Sequence, residues 1–433
     1  MHKLRGIDVI GRLRRRRGGL WRDADFLRLW AGQSVSEVGA QLTRLALPTA
    51  AIVIFDASPV QVGILAASQT LPAVIFGVLA GVWVDRLRRR TVMIVCDLVR
   101  FVALASVPLA FALGILTLTH LYAIALVTGA ATMVFNVAYQ SYLPTLVGRA
   151  DLGEGNSKLI ASRSVAEVIG PGLGGALVQG VGAARALTLD ALSFVVSAVS
   201  LRSIRRAEPA PASSDQPRRV LHELKEGLST IRRTLVLRRL AACNVTLNLG
   251  LSISDTLFYL FAYRELGLSP AFVGVAVAIR GAGALAGALL VVGLERRFGS
   301  ARMLVAGAAL YGAGWMLVPA AAAGLAAPML IVSAAMIGFG NATYNVTQLT
   351  LRQVVTPDRI LGRVNATMRA LFLAPQPAGA LLAGVLATSA GYVPALLIGG
   401  SIIAAAAGFL LSPDVRAAAR GDAGDQPAPS TGA

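Results

Sequence analysis

The sequence predicts an all-α membrane protein, with twelve transmembrane helices in two pseudo-symmetric six-helix bundles and both termini cytoplasmic. Three observations lead there. The 433 residues are 55% hydrophobic and only 14% charged, with mean hydropathy +0.67, whereas a soluble domain carries about 25% charged residues. The basic residues fall in alternate gaps between the apolar runs. The two halves of the chain echo each other at a spacing near 211 residues.

A span needs about 20 apolar residues. Twelve stretches qualify, at 25–54, 59–84, 91–114, 118–143, 155–180, 184–204, 238–264, 270–294, 301–320, 326–351, 360–388 and 391–411. They divide the chain into a basic cytoplasmic N-terminus (1–23), a six-helix bundle (24–204), a cytoplasmic linker (205–237), a second bundle (238–411) and a disordered tail (412–433). The N-terminal arginines followed by apolar residues mimic a signal peptide. The next segment, however, contains Gln33, Glu37 and Arg44, lacks a small-residue cleavage site and is long enough to span, so it is read as a retained helix. Asp56 to Pro59 and Ser269-Pro270 are turn chemistry that also starts the following helix. In the linker, Ala207–Pro217 is rich in Pro and Ser. Val220, Leu221, Leu224, Leu228 and Ile231 then form a helical stripe flanked by basic residues, which fits an interfacial helix on the cytoplasmic leaflet.

The charges set orientation. The net charge of +18 would suit nucleic acid, but the positions argue otherwise. Arginines cluster before the first span, at 86–90, 202–239, 296–302, 352–363 and 416–420; the opposite gaps hold only Arg185 and Arg264. Short loops rich in Lys and Arg stay cytoplasmic, so the asymmetry is topology and no nucleic-acid partner is expected. Cys96 and Cys243 lie inside apolar runs, the three histidines do not cluster, and no Gly-Lys-Ser/Thr phosphate loop occurs. No metal, no cofactor and no catalytic constellation follow, so an enzyme is not expected.

The repeat is explicit. Ser58-Pro59 with Val62-Gly63 returns as Ser269-Pro270 with Val273-Gly274, 211 residues on. Asp85-Arg86 returns more weakly as Glu295-Arg296. An even number of helices per half makes the repeat parallel, about an axis along the membrane normal, with the path between the halves. The first span carries Gln33, Glu37, Gln41 and Arg44 on one face; the seventh carries Asn244, Asn248, Ser252 and Asp255 at the same steps. Polar groups are costly in lipid, so both stripes are expected to face a shared watery cavity. Glu37 lies about 18 Å into its helix, near mid-membrane. Arg44 and Asp255, of opposite sign, are candidates to pair across the pseudo-twofold, or each to satisfy a neighbour in its own half. Gln69 and Arg280 are likewise 211 apart, and Arg280 suits an anionic substrate group or a partner such as Asp255 or Glu37. Asn136 and Tyr139, and Tyr344, Asn345 and Gln348, line the pocket or bind helix to helix. Asp97 with Arg100, and Arg163 with Glu167, are spaced to pair locally.

One stretch organises the rest. From Gly77 to Arg90 a glycine-dotted apolar helix ends in Asp85 and a burst of arginine. Gly81, Asp85, Arg86, Arg89 and Arg90 resemble the loop signature of the major facilitator superfamily, with Arg88 where that family usually has glycine. Gly170-Pro171 with Gly174-Gly175 is similar to the antiporter motif of drug–proton antiporters in the superfamily. With Asp97-x-x-Arg100 and Leu143-Pro144, the chain resembles the twelve-helix branch that includes enterobactin exporters and macrolide or multidrug efflux proteins, over residues 24–412. It departs by lacking Arg-x-x-Gln-Gly in the fourth span and by Ala40 where many relatives have an acid. The resemblance implies a bacterial plasma-membrane exporter of an amphipathic small molecule, working by alternating access, with protons as the second partner and the protein a monomer. It makes Gly81, Asp85, Arg86, Arg89, Arg90, Asp97 and Arg100 a cytoplasmic gate. The proton-carrying candidates are Glu37, then Asp255, then Glu167. An uptake symporter, or a membrane sensor that transports nothing, remains open on sequence alone.

Overall fold

The computed structural model describes residues 19–148, 150–208 and 217–420, apart from the side chains of 78–82, 85, 217–223 and 420. The basic segment 1–18, Arg149, the Pro/Ser linker 209–216, the tail 421–433 and the Asp85 side chain thus lie outside the described residues, and Gly81 is described only as helical backbone. The elements follow their punctuation. Helix α1 (Ala24–Phe55) begins where the Asp23 carboxylate accepts from the amides of Asp25 and Phe26, at 3.0 and 3.1 Å. It ends at Asp56, a left-handed residue with φ 48°. Helix α2 (Pro59–Asp85) opens with a capping box between Ser58 and Gln61 and with Pro59 in its first turn. The same grammar returns in the second half, where Ser269 caps α9 (Pro270–Phe298). Helices α3 (Arg89–Ala112), α4 (Leu118–Val147), α5 (Leu152–Val181) and α6 (Ala183–Ser203) complete the first half.

Helix α7 (Pro217–Arg233) leads into the second half: α8 (Leu235–Leu260, extended by a π turn to Glu265), α9, α10 (Ser300–Leu317), α11 (Ala326–Val355), α12 (Asp358–Leu373), α13 (Pro375–Ala390), α14 (Tyr392–Ala406) and α15 (Pro413–Arg420). Eleven of the described helical stretches are long and apolar enough to cross a membrane. Helix α5 is equally long, at 30 residues, but carries Glu154, Lys158, Arg163 and Glu167. The eleventh predicted span is one helix only in outline. It breaks at Ala374 because Pro375 and Pro377 have no amide hydrogen to give the preceding turn.

The two halves pack alike. In the first, α1 packs on α5 and α6, α2 on α4, and α3 on α4 and α6. In the second, α8 packs on α13 and α14, α9 on α11, and α10 on α11 and α14. These are the same five pairings displaced by one repeat. The halves meet along α5 with α9 and along α2 with α13. Interiors are filled by Leu and Ala, whereas side chains such as Leu289 (73% exposed), Val102 and Ile160 face outward. That apolar exterior is the surface a bilayer covers.

Two expectations fail here. The tail is not disordered from residue 412: Pro413–Arg420 is helical, with Val415 and Ala418 buried. The described part of the α7 stripe is not laid open to a leaflet. Ile231 is buried, Gly227 lies against the Arg363 carbonyl and Thr367 of α12, and Glu226 pairs with Arg363 at 2.6 Å. An amphipathic period shows that a face is apolar, not which apolar surface covers it.

Candidate substrate path

The end of the bundle that is poor in arginine is sealed. Gly175 and Gly274 face each other between α5 and α9; a Cβ on Gly274 would stand 2.4 Å from the Pro171 carbonyl, and one on Gly175 would stand 2.5 Å from that of Pro270. Gly63 and Gly384 do the same between α2 and α13, against the carbonyls of Ala380 and Pro59. Only glycine allows backbones this close. Polar contacts bridge the halves beside them. The Thr49 and Tyr263 hydroxyls are 2.8 Å apart, Arg264 pairs with Asp56 at 2.5 Å, and the Ala271 amide donates to Gln179 at 3.2 Å. The antiporter-like run therefore has two jobs. Gly170 and Gly174 receive Gln41 and Leu42 of α1, whereas Pro171 and Gly175 meet the other half.

Below the seal, charged groups keep free surface. Asp255 of α8 pairs with Arg280 of α9 at 2.7 Å, yet their side chains are 43% and 30% exposed. Tyr259 and Tyr311 lie within electrostatic reach of the pair. In the first half, Arg163 Nε donates to Glu167 at 3.0 Å, and Arg163 also stands within electrostatic reach of the half-buried Glu37 and of Tyr139. Asn136 and Arg44 are exposed, and Gln69, Ser252 and Asn345 half-buried. Arg44 does not take Asp255. It reaches the neutral Gln41 side chain at 3.4 Å, while Asp255 is held by Arg280 within its own half, so the two charges do not pair across the halves here.

Between residues 20 and 428 the chain matches the family model described as transmembrane secretion effector. The chain belongs to that family. It is a multi-pass membrane transporter of the major facilitator superfamily, and not an enzyme. It is 30% identical over 363 residues to the multidrug efflux pump Tap of Mycolicibacterium fortuitum, covering 79% of this chain and 87% of the relative. It is 22% identical to macrolide efflux protein A of Streptococcus pyogenes, covering 87% and 93%. Its fold matches a crystal structure of a mutant nucleoside transporter NupG, with TM-score 0.72 at 14% identity, over 90% of this chain and all of the other.

The rest of the predicted stripes of this transporter are buried in this conformation. Gln33 donates to Ser197 of α6 at 3.3 Å. Tyr344 of α11 donates to the Asn244 side chain at 2.9 Å, and Asn248 to the Asn244 carbonyl at 2.8 Å. Gln41, Asn244, Asn248, Tyr344 and Gln348 are all under 9% exposed. Of these contacts, Gln33 to Ser197 and Tyr344 to Asn244 tie one helix to another, whereas Asn248 bonds within its own helix. Ser252 donates to the Gln376 carbonyl, one of those near the α12–α13 break.

The predicted gate also divides. Arg86 is exposed at the end of α2. The amides of Arg89 and Arg90 start α3 and donate to Glu208 at 2.7 and 3.2 Å, a carboxylate on a helix N-terminus. Asp97 and Arg100 are not at that surface. They are paired inside the first half, and Arg100 lies over the rings of Phe135 and Phe194 at 4.4 and 4.2 Å. Sequence reasoning missed Glu208, which no local signal marks. It also missed Asp190 of α6, buried and bonded by Thr43 and Ser193. A lone acid in an apolar span was the available signal.

Proposed function

We propose that the protein exports an amphipathic small organic molecule across a bacterial plasma membrane by alternating access, in exchange for protons. The observation that carries this is the solvent-reachable pair Asp255–Arg280, deep in the helices beneath a sealed end. The arginine-poor end is then the outside, the path opens to the cytoplasm, and α5 is the twelfth span of a monomer with both termini inside. The efflux activities in the names of its relatives support the outward direction.

Glu37 and Asp255 are the proton carriers and Glu167 the reserve. A proton on Asp255 breaks its pair and frees Arg280; loss of that proton restores it. Arg280, Arg44, Asn136, Tyr139, Gln69, Ser252 and Asn345 contact the substrate. Gln41 Nε2, Asn248 Oδ1 and Gln348 Oε1 are buried without hydrogen-bond partners. Such atoms call for a reason, and a second conformation that opens them to water or substrate supplies one. One pH unit provides about 1.4 kcal/mol per proton, and 100 mV about 2.3 kcal/mol per charge. Everted membrane vesicles made acid inside test the proposal: they accumulate a labelled macrolide or a cationic dye and release protons as they do so. If Glu37→Gln and Asp255→Asn vesicles accumulate it as fast as the parent under the same pH gradient, both carriers are misassigned.

A further inference from the structure

We propose that Asp97, Arg100 and Asp190 form a proton-binding site inside the first half, separate from the cavity carboxylates, with the proton carried on Oδ2 of Asp97. Its use in transport rests on the exchange reading above; its existence does not.

Three buried ionisable groups meet where α1, α3, α4 and α6 pack. Asp97 is 0% exposed, Asp190 1% and Arg100 5%. Two carboxylates against one guanidinium leave one negative charge in a space lined by Phe135 and Phe194. Burying an uncompensated charge is costly, and one proton makes the cluster neutral. The hydrogen bonds say where it goes. Asp190 has both oxygens occupied, one by Ser193 at 3.0 Å and one by Thr43, so its ionised form is served. Asp97 gives one oxygen to Arg100, while its fully buried Oδ2 lacks a well-formed hydrogen bond and the Ser197 hydroxyl of α6 is the neutral donor beside the carboxyl. A buried carboxylate oxygen so weakly served is where a proton removes a charge and turns the acceptor into a hydroxyl whose hydrogen bond Ser197 can accept. The step is a plain transfer: hydronium in the cavity water gives its proton to the Asp97 carboxylate, leaving water and the neutral acid.

The charged neighbours are few. From α1, Arg44 acts on Asp190; from α3 come Arg100, Asp97 itself and the Cys96 thiol; α4 and α6 add the two aromatic rings. Arg44 links the site to the path. Thr43 turns to Asp190, whereas the next residue, Arg44, is exposed and also lies within electrostatic reach of Tyr259 on the other half. A substrate anion, or Asp255 in another conformation, that draws Arg44 away removes the more distant positive charge acting on Asp190 and strengthens the cluster's hold on the proton. The site thus reads the state of the cavity without touching the substrate.

Infrared difference spectra of the full protein in liposomes, taken between alkaline and acid pH, test this without any substrate. A Glu37→Gln/Asp255→Asn background removes the two cavity carriers. The expected result there is a protonated-carboxyl C=O band that appears on acidification, shifts in D2O and is lost in Asp97→Asn. Should Asp97→Asn fail to fold, Thr43→Val keeps the test alive, since removing the donor to Asp190 shifts the frequency of the same band. No band in the cavity-carrier background, a band that ignores D2O, or one unchanged by both Asp97→Asn and Thr43→Val overturns the site. Loss of macrolide-driven proton release with the band intact would instead count against the antiport reading.

Discussion

Gly274→Ala tests the seal at the arginine-poor end directly. The new Cβ would stand 2.4 Å from the Pro171 carbonyl and 2.9 Å from the Gly175 Cα. Ordinary contact begins about 1 Å further out, and both obstacles are backbone, which no rotamer change can move. Overpacking of this kind costs roughly 1–3 kcal/mol. The cost is borne only while α5 and α9 touch, so it is felt while this end is closed and relieved when the halves part. A bias of that size shifts a two-state equilibrium by about 5- to 150-fold. Spin labels at Leu113→Cys and Leu325→Cys report it, because these positions are 63% and 57% exposed in the turns after α3 and α10, one on each half. With Cys96 and Cys243 replaced, double electron–electron resonance on the parent gives mainly the short distance, and Gly274→Ala populates a longer one. Gly175→Ala, facing the Pro270 carbonyl at 2.5 Å, gives the same direction. Distance distributions identical to the parent in both variants would mean that this glycine contact does not hold this end shut.

Three further outcomes follow from named contacts. Asp255→Asn and Arg280→Gln each lower the detergent melting temperature only slightly, because side chains 43% and 30% exposed place the pair in the screened range of about 0.2–1 kcal/mol; both abolish pH-driven accumulation in everted vesicles, and the double variant regains the melting temperature without the transport. Tyr344→Phe leaves the Asn244 side-chain oxygen buried without its donor at 2.9 Å, which costs about 1–3 kcal/mol, read as a lower melting temperature with proton coupling intact. Gly227→Leu drives a side chain into Thr367 Oγ1 at 2.3 Å and the Arg363 carbonyl at 2.7 Å, so α7 leaves α12 and trypsin cuts faster after Arg232 and Arg233.

Much of the architecture was legible because a bilayer leaves the chain few choices. An apolar run must become a helix, since no water is there to take its backbone groups. Ser58-Pro59 and Ser269-Pro270 start helices for the same capping reason, and their offset exposes the repeat. What failed lies where tertiary contact decides. Nothing in Val415 and Ala418 says that a short helix after residue 412 finds a buried place. The period of α7 marks an apolar stripe suited to a leaflet but not its packing on α12, because Gly227, its closest contact there, carries no side chain to mark it.

The polar residue types of the candidate site can be read from the sequence, but their geometry cannot. A step of four residues puts Gln33, Glu37 and Gln41 on one side of α1, but the structure divides that side. Gln33 turns to Ser197, Gln41 meets Gly170, and only Glu37 between them keeps free surface. The difference is a few tens of degrees of helix rotation, fixed by Gly170 and Gly174 on another helix, and no pattern within α1 encodes it. Pairing was lost for a related reason. Opposite signs at matching positions made Arg44 and Asp255 attractive partners, yet Arg280 lies next to Asp255 through the α8–α9 turn and reaches it within one half. A transporter that must open needs its strongest ion pairs inside each rigid half, with contacts across the halves that can be given up. The Asp255–Arg280 and Asp97–Arg100 pairs obey that division, and the bridge across the halves from Arg264 ends on Asp56, whose side chain is 95% exposed and is easily returned to water.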